Sequence, residues 1–569
     1  MSISRREFLQ VLAAAAAAGF ALPGVAGAAG RDPYDVPRFG NVSFLHYTDC
    51  HAQLLPVWFR EPNINLGIAG MYGQAPHLVG EHFLKHYGIR PGTMEAHAFT
   101  YMNFTEAAQR FGKVGGFAHL STLVKRMRAS RPGALMLDGG DTWQGSATSL
   151  WTNAQDMVDA QKLLGVDIMT PHWEMTFGAE RVQEIINNDF DGQIDFLAQN
   201  VVDNEWQERV FKPYSLREMN GVPVAVIGQA FPYTPIANPR YMVPDWSFGI
   251  RDDAMQEVVD KARAEGAQVV VVLPHNGMDV DLKMASRVSG IDAIMGGHTH
   301  DAIPEAVKVK TPAGGTTLVI NSGSNGKFLS VLDFDVRGGK VRDFRYKLLP
   351  VFADLLPADA EMKKHIDTVR APYLDKLNEE LAVSDDLLYR RGNFNGTFDQ
   401  LITDALMETQ DAEIAFSPGF RWGVSVLPGQ PITFDHVMTQ TAITYPTVTR
   451  NKFTGERIKT ILEDVADNLF NTDPYYQQGG DMVRVGGLKY TIEPEAVMGK
   501  RISNMELNGK PLQASKEYVV AGWASVAEPI DGTPVWDAVS HYLREKKVVR
   551  VSNTDNVRIK LSRSNPGYA

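Results

Sequence analysis

Between about residues 42 and 335, short apolar runs rich in β-branched residues alternate with longer segments that have helical spacing of apolar positions. These runs predict strands at 42–47, 134–137, 168–170, 194–198, 222–227, 268–273, 291–295 and 317–320. A helix is predicted directly after Gly116, with an apolar stripe formed by Phe117, Leu120, Val124 and Met127. This rhythm is typical of an α/β domain.

The second half of the chain has a different pattern. Residues 350–385 are polar with helical spacing, broken at Pro357 and Pro372, and we interpret them as a linker helix. A second α/β unit is predicted at 386–569. Because 569 residues exceed a common domain length of roughly 100 to 200 several times, we expect two domains, at 38–349 and 386–569.

The first residues read as an export signal. Arg5 and Arg6 precede an apolar run at 11–22, and small residues at 26–28 form a cleavage site, so residues 1–28 resemble a Tat signal peptide. A membrane anchor would need about 20 apolar residues, whereas this run is shorter and is stopped by Pro23. We therefore expect a periplasmic protein that does not bind a membrane.

Charge and cysteine content narrow the chemistry. Acidic residues outnumber basic ones by 67 to 56, for a net charge of −11, which disfavours nucleic acid as a partner. The single cysteine, Cys50, excludes an internal disulfide and a thiolate zinc cluster. A metal site must therefore use histidines and carboxylates.

Five segments rich in Asp and His follow five of the predicted strands. Because the carboxyl ends of strands in an α/β sheet share one edge, we expect these side chains to converge there. Any one segment alone would be more typical of a surface loop. The candidate metal ligands are Asp49, His51, Asp141, His172, His275, His298 and His300.

The spacing within two of these segments is also informative. Asp49 with His51, and His298 with His300, stand two residues apart, so an extended backbone would point both members of each pair to one side. Cys50 would then point away, and we expect a buried thiol there rather than a nucleophile. The whole pattern fits two metal ions that share one carboxylate.

The order of these motifs resembles that of the calcineurin-type metallophosphoesterase superfamily, and the two-domain layout resembles its periplasmic 5′-nucleotidase branch. The resemblance implies an α/β sandwich of two sheets flanked by helices, followed by a 5′-nucleotidase-type C-terminal α/β domain. It also implies a bridging role for Asp141. One site would use Asp49, His51, Asp141 and His300, and the other Asp141, His172, His275 and His298.

The third motif departs from the nucleotidases. Their Asn-His-Glu is replaced by His172-Trp173-Glu174, so an indole stands where that family has its general-acid histidine. Thr176 replaces the aspartate that orients the histidine. Protonation of a poor leaving group is worth about 10² to 10⁴ in rate, so a site without the acid suits a leaving group that is stable as an anion, such as a persulfide.

This motif, together with segments 418–423 and 475–482, resembles the sulfate thiol esterases (thiosulfohydrolases) of the periplasmic thiosulfate-oxidising Sox system. The resemblance implies two Mn²⁺ ions and removal of the terminal sulfonate from a cysteine S-thiosulfonate by a dimetal-bound hydroxide, with release of sulfate. The implied substrate carrier is SoxYZ, bound transiently through the modified cysteine arm of SoxY, with other Sox components as further partners and the enzyme itself a monomer.

Beyond the metals, we expect four residues to act in catalysis: His172, Glu174, Arg421 and Asp481. Arg421 can pair two sulfonate oxygens through its planar guanidinium, although a surface arginine stacked on an aromatic ring is the alternative. Gly479 and Gly480 would let a thin chain approach, or form a plain turn. Glu174, Asn276 and Asn321 are candidates for orienting the imidazoles.

Two other functions stay open on the sequence alone. One is a periplasmic 5′-nucleotidase or phosphodiesterase on the same scaffold, which would need a proton donor and a pair of rings to stack a base. The other is a non-catalytic scaffold of the Sox assembly, which the seven retained ligand positions disfavour.

Overall fold

The computed structural model describes residues 32–527, 529–551 and 554–568. The predicted signal peptide at 1–28 lies outside the described residues. The chain divides into two units, Met1–Arg38 and Phe39–Ala569, and all elements below lie in the second. Within the described ranges, no helix is both long and apolar enough to cross a membrane.

The first fourteen strands precede residue 351. In chain order they are β1 (Val42–Tyr47), β2 (Leu135–Asp138), β3 (Ile168–Met169), β4 (Asp195–Phe196), β5 (Val202–Asp203), β6 (Tyr214–Met219), β7 (Val222–Gln229), β8 (Trp246–Ser247), β9 (Val269–Pro274), β10 (Ala293–Gly296), β11 (Val307–Lys310), β12 (Thr316–Asn321), β13 (Phe328–Arg337) and β14 (Lys340–Pro350). The later strands are β15 (Glu380–Ser384), β16 (Ile414–Ser417), β17 (Pro431–Thr433), β18 (Val448–Thr454), β19 (Arg484–Gly486), β20 (Leu488–Ile492), β21 (Ile502–Leu507), β22 (Lys510–Pro511), β23 (Glu517–Trp523), β24 (Val548–Val549) and β25 (Val557–Ile559).

The α-helices pack on the faces of these sheets. They are α1 (Gly80–Tyr87), α2 (Met94–Phe99), α3 (Phe104–Phe111), α4 (Phe117–Ser130), α5 (Ala147–Trp151), α6 (Gln155–Leu164), α7 (Ala179–Glu184), α8 (Thr234–Ala237), α9 (Asp252–Ala264), α10 (Met278–Arg287), α11 (Ala360–Arg370), α12 (Leu374–Leu377), α13 (Thr397–Thr409), α14 (Phe434–Thr441), α15 (Gly455–Phe470) and α16 (Val535–Lys546).

Two six-stranded sheets form a sandwich. Their strand orders are β14-β13-β1-β2-β3-β4 and β11-β12-β10-β9-β7-β6. Apolar side chains of both sheets, such as Phe44 and Leu137 from one and Val226 and Val271 from the other, meet in one buried cluster. The outer face of the second sheet is covered by α9 and α10. The expected two-sheet α/β architecture is confirmed.

Strands β1 to β4 run parallel to one another, as do β7, β9, β10 and β12. Each sheet therefore gathers the carboxyl ends of its parallel strands at one edge, and this arrangement positions the site.

Each predicted strand and the predicted helix is present in the structure, although some of their ends differ. All eight predicted strands are present, and α4 begins at Phe117 with the predicted stripe buried. The long hairpin β13–β14 was missed because the outward positions of β14 are charged and its run is only half-buried. The expected linker helix at 350–385 is wrong in extent: α11 ends at Arg370, just before Pro372, and β15 is a strand.

The C-terminal part contains three smaller sheets. Their orders are β17-β15-β24, β18-β23-β16-β19 and β22-β21-β20-β25. Two buried clusters hold this part together, one around α13, α14 and α16 and the other around α15. Loops from it face the edge of the sandwich where the candidate ligands lie.

One buried ion pair fixes α4 to the sandwich. The guanidinium of Arg131, at the end of α4, donates from Nε to Asp333 Oδ1 at 2.8 Å and from Nη2 to Asp333 Oδ2 at 2.9 Å. Asp333 lies on β13 and also accepts from the Ser43 hydroxyl at 2.7 Å. Both members of the pair are almost fully buried.

We predict that Asp333→Asn lowers the free energy of unfolding by about 3 to 5 kcal/mol, because it leaves a buried guanidinium without its counter-charge. Urea unfolding of the whole protein measures this. Asp335→Asn is the matched control, since Asp335 is on the same strand but pairs with exposed Arg337. Equal stability of the two variants would contradict the prediction.

Candidate metal centre

The seven candidate ligands lie in loops that begin where parallel strands end. These are Asp49 and His51 after β1, Asp141 after β2, His172 after β3, His275 after β9, and His298 and His300 after β10. Five of them have a positive φ: 52° at Asp49, 48° at His51, 58° at Asp141, 74° at His298 and 59° at His300. The extended backbone that we expected at Asp49, His51, His298 and His300 is therefore wrong. Left-handed residues bring the side chains together, at a cost of about 1 to 3 kcal/mol each.

The first group consists of Asp49, His51, Asp141 and His300. One ligand atom of each lies within 4.8 Å of those of the others. His51 Nε2 is 3.1 Å from His300 Nε2, and His300 Nε2 is 3.2 Å from Asp49 Oδ1. His51 Nε2 is 3.6 Å from Asp141 Oδ2. All four residues are buried.

The second group consists of Asp141, His172, His275 and His298, again within 4.8 Å. His275 Nε2 is 3.0 Å from Asp141 Oδ2, and His172 Nδ1 is 3.1 Å from Asp141 Oδ1. Because Asp141 belongs to both groups, its carboxylate stands where it can bridge two ions, as in other two-metal hydrolases.

The protonation of the imidazoles suits metal binding. Burial lowers the pKa of His51 to about 4, and it lowers the pKa of His298 and of His300 well below the usual range. These rings are therefore neutral and keep a free lone pair. Nε2 of His172 and Nε2 of His298 are buried without a hydrogen-bond partner among the described residues.

His275 behaves differently. Burial alone would lower its pKa, but the charges of Asp141 and Asp49 raise it to about 10. Its Nδ1–H donates to the carbonyl oxygen of Gly139 at 2.6 Å, which turns Nε2 toward Asp141. A proton and a metal ion would compete for that nitrogen. Nitrogen and carboxylate donors in two buried groups fit two divalent first-row ions.

Glu174 connects the loops after β2 and β3. Its carboxylate accepts the backbone N–H groups of Thr142 at 2.6 Å and His172 at 2.8 Å, and those of Asp141 and Trp143 at 3.3 Å. Burial, followed by the charge of Asp141, raises the pKa of Glu174 to about 7. We expected Glu174 to orient an imidazole, but its hydrogen bonds hold the backbone of two ligand loops.

Asn276 and Asn321, the other two residues expected to orient imidazoles, form hydrogen bonds to different groups. Asn276 donates to Asp281 Oδ1 at 3.0 Å and accepts from Gln229 at 2.7 Å. Asn321 donates to the carbonyl of Gly297 at 3.2 Å. Neither forms the imidazole hydrogen bond that the sequence suggested, although Asn321 does support the loop that carries His298.

Cys50 is a buried thiol, as expected. Its Sγ lies 3.6 Å from the carbonyl oxygen of Thr142, and burial raises the pKa of the thiol well above its usual value. A thiol held in this form is a poor nucleophile.

Five of the seven candidate ligands, all except Asp49 and His275, line a pocket of about 160 Å³ that segments 419–422 and 478–481 close from the C-terminal side. Trp173 lies in its wall. The indole packs against Phe420 at 5.2 Å and Trp422 at 4.9 Å between ring centroids, and stacks on Tyr445 at 6.3 Å. Aromatic side chains therefore form one wall of the pocket, beside the two groups of candidate ligands.

Arg421 and Asp481 lie together in this pocket lining. Arg421 donates to the carbonyls of Gly480 at 2.7 Å and His298 at 3.4 Å, and its Nε is 3.5 Å from Asp481 Oδ1. Asp481 also accepts from Arg484 at 3.1 Å and from Asn393 at 3.1 Å. Asp481 thus orients Arg421, and the structure gives it no contact with the candidate ligands.

The two glycines differ. A Cβ on Gly479 would stand 1.8 Å from Nε2 of His298, and its φ is +77°, so a side chain there would displace a candidate ligand. A Cβ on Gly480 would meet only the carbonyl oxygen of Gly419, at 3.7 Å. The tight packing of an imidazole explains the first glycine, whereas the second leaves open space.

Sequence reasoning gave no role to Phe231 or Arg391. Phe231 stacks on His298 at 4.2 Å and packs on His172 at 4.2 Å between centroids. It directly follows β7, a parallel strand of the second sheet, so the same rule of strand ends could have found it. Arg391 donates to the carbonyl of Thr299 at 3.0 Å, a contact that no motif in the sequence signals.

We predict that substitution of Asp141 lowers the metal content of the protein more than substitution of Asp49. Asp141→Asn should reduce bound metal to less than one ion per chain, because Asp141 belongs to both groups. Asp49→Asn should leave about one of two ions, because Asp49 belongs to one group. Elemental analysis of protein purified in parallel measures this, and equal metal content in both variants would show that Asp141 does not bridge.

Comparisons with known proteins agree with this fold. A family model described as 5′-nucleotidase, C-terminal domain, matches residues 382–538. Protein UshA of Yersinia enterocolitica is 25% identical over 491 residues, which is 75% of this chain and 84% of UshA. The structure of a 5′-nucleotidase precursor from Thermus thermophilus, at 22% identity, covers 92% of this chain and 100% of its own, with a TM-score of 0.72, and supports the fold.

A closer likeness is to the structure of the sulfate thiohydrolase SoxB of Thermus thermophilus. It is 37% identical, covers 94% of this chain and 99% of its own, and superposes with a TM-score of 0.88. With two clusters able to hold a dimetal centre on the expected fold, the chain belongs to the SoxB family of hydrolases, within the 5′-nucleotidase and metallophosphoesterase superfamily.

Proposed function

We propose that the protein hydrolyses the terminal sulfonate from a cysteine S-thiosulfonate on the SoxYZ carrier in the periplasm. Water oxygen bonds to the sulfonate sulfur, the sulfur–sulfur bond breaks, and its electron pair leaves with the carrier as a persulfide while sulfate is released. The observation that carries this proposal is the tryptophan at position 173, in a pocket that offers no proton donor to a leaving group.

The pocket lining supports a reaction without an acid. Apart from the candidate ligands, the ionisable side chains among the lining residues that the structure describes are Arg421 and Asp481. Burial alone would raise the pKa of Asp481, but three arginines, Arg421, Arg484 and Arg391, lower it below the usual range. Asp481 is therefore ionised at neutral pH and cannot donate. A persulfide needs no proton to leave, whereas an alkoxide does.

The aromatic wall disfavours a nucleotide. A base held between two rings needs them about 7 Å apart, two van der Waals separations. Phe420 and Trp422 instead stack on each other, with centroids 4.0 Å apart, and Trp173 packs against both. A pocket of about 160 Å³ between these rings and the ligands suits a small group such as a sulfonate at the end of a thin arm.

Arg421 is the side chain we propose to hold the sulfonate. Three of its five N–H groups have acceptors in the described part of the chain, namely Gly480, His298 and Asp481. Two donors are left for sulfonate oxygens, and the hydrogen bond to Gly480 fixes the plane of the guanidinium. The buried carboxylate of Asp481, itself held by Arg484, keeps this group in place.

Two Mn²⁺ ions are the cofactors we propose for the two groups that share Asp141; when bound, they supply an activated water and positive charge for the sulfonate oxygens. A histidine-rich donor set binds zinc more tightly than manganese, so selection must depend on where the metal is loaded. Folding in the cytoplasm before export through the Tat pathway would provide that step, and the twin arginine near the N-terminus supports this route.

We predict that Trp173→His does not accelerate sulfate release from a thiosulfonate-loaded carrier, because no proton is needed, but raises hydrolysis of AMP, whose alkoxide leaving group benefits from a proton. Trp173→Phe is the control for the lost indole volume, since it adds no acid. Initial rates of both variants on both substrates give the result. A gain of about 10² or more on the sulfur substrate with histidine alone would show that protonation limits the reaction.

We also predict that Arg421→Gln lowers kcat/KM for loaded carrier by about tenfold to a hundredfold, the worth of a charged hydrogen bond. Arg421→Lys keeps the charge but loses the planar fork, and its loss should be smaller. Metal content is measured in the same preparations, so that a displaced ligand is told apart from weaker substrate binding. Unchanged kinetics in both variants would exclude Arg421 as the sulfonate contact.

A further inference from the structure

We propose that three residues of the C-terminal part, Arg391, Trp422 and Gly479, lock the metal ligands in place, so that retention of the metal ions depends on side chains that do not bind them. We call these three the covering residues. The proposal rests on the two ligand groups and not on the reaction proposed above.

The loop from 298 to 300 requires outside support. His298 and His300 both have left-handed φ values, 74° and 59°, which a non-glycine residue adopts only when its surroundings compel it. The sandwich supports the loop through the N–H of His298, which donates to Asp49 at 2.9 Å, and through the Thr299 hydroxyl, which accepts from the N–H of Met278 at 3.1 Å. The carbonyl oxygens of His298 and Thr299 accept instead from Arg421 and Arg391 of the C-terminal part.

Arg391 holds one of these carbonyls. Its Nη2 donates to Thr299 at 3.0 Å, between the two histidines of the loop. Arg391 is only 3% exposed, and its Nε has no hydrogen-bond partner in the described ranges. The negative charges of Asp481, Asp301 and Glu61 act on the buried guanidinium and oppose the cost of its burial. A guanidinium held in this way keeps its hydrogen bond to Thr299 in place.

Gly479 and Trp422 cover one imidazole in each group. Gly479 lies so close to His298, a member of the second group, that a Cβ would be 1.8 Å from Nε2 of its imidazole. Trp422, 2% exposed, stacks on His51 of the first group with centroids 5.0 Å apart and planes 28° apart. Neither imidazole can swing away from its group on this side until the covering residues move.

The covering residues should affect the rate at which metal leaves the protein. A chelator that must wait for the covering residues to move would remove metal at a rate set by that motion, so the rate should become independent of chelator concentration. A ligand set open to solvent would instead lose metal faster as chelator is raised.

The test measures metal release from the mature protein, loaded in one experiment with Mn²⁺ and in another with Zn²⁺. The loaded protein is mixed with excess EDTA, and the metal that remains in desalted samples is measured over time by elemental analysis. For the wild type we expect a rate that reaches a plateau with EDTA concentration. Arg391→Gln and Trp422→Leu should each release metal at least about tenfold faster, the effect of losing one hydrogen bond or ring contact near 1.4 kcal/mol. Arg391→Lys and Trp422→Phe, which keep the donor or the ring, should restore slow release.

The control is Arg370→Gln, which removes another largely buried arginine of the C-terminal half whose partner is Asp435 at 2.8 Å. Its release rate should match that of the wild type. Melting temperatures of all variants separate general destabilisation from a local effect. The proposal is overturned if Arg391→Gln and Trp422→Leu release metal no faster than Arg370→Gln, or if wild-type release rises in proportion to EDTA.

Discussion

The sharing of the Asp141 carboxylate between two buried groups of imidazoles and carboxylates is the interaction on which the rest of this structure depends. Seven side chains from five loops must bring one atom each into a space a few ångströms wide, away from water. Five of them can do so only from left-handed backbone conformations. Charge and strain of this kind persist only if the surrounding protein holds them, and the parallel strands, Glu174 and the C-terminal loops supply that support.

The same constraint shapes the chemistry. A net charge of −11 would repel an anionic substrate, so attraction must come from the site itself. Arg421 lines the pocket beside Asp481, and Arg390 and Arg484 pair with the buried carboxylates of Asp399 and Asp481. The aromatic side chains that pack beside them exclude water and occupy the volume a base would need. The fold is thus that of the nucleotidases, while the packing of these side chains is our reason to propose a smaller anion as substrate.

Much of this could be predicted from the sequence because its signals are local. Strand β9 is a continuous apolar run, and the loop motifs directly follow predicted strands, so topology alone brings the candidate ligands together. The backbone conformation could not be predicted in this way. We expected alternation of an extended chain at Asp49 and His51, whereas both are left-handed. Their N–H groups donate to the carbonyl oxygens of Gly140 and Asp141, in the turn after the neighbouring strand, and this contact lies outside the local pattern.

Contacts between distant segments were also beyond the sequence. Glu174 reads as a partner for an imidazole because it neighbours His172, yet the turn at Trp173–Phe177 points its carboxylate at backbone N–H groups. Gly479 reads as room for a substrate, but the space is taken by His298, some 180 residues earlier in the chain. The first contact follows from the packing of two loops of the sandwich and the second from the docking of the C-terminal part on it, and no local pattern encodes either.

The central claim is that this dimetal site cleaves a sulfur–sulfur bond and not a phosphate ester. The most direct measurement is parallel turnover of Mn²⁺-loaded protein on thiosulfonate-loaded SoxYZ and on AMP, with sulfate and phosphate counted in the same assay. The account predicts one sulfate per loaded carrier and a kcat/KM about 10² or more above that for AMP, because no acid serves an alkoxide. Faster release of phosphate than of sulfate would contradict it.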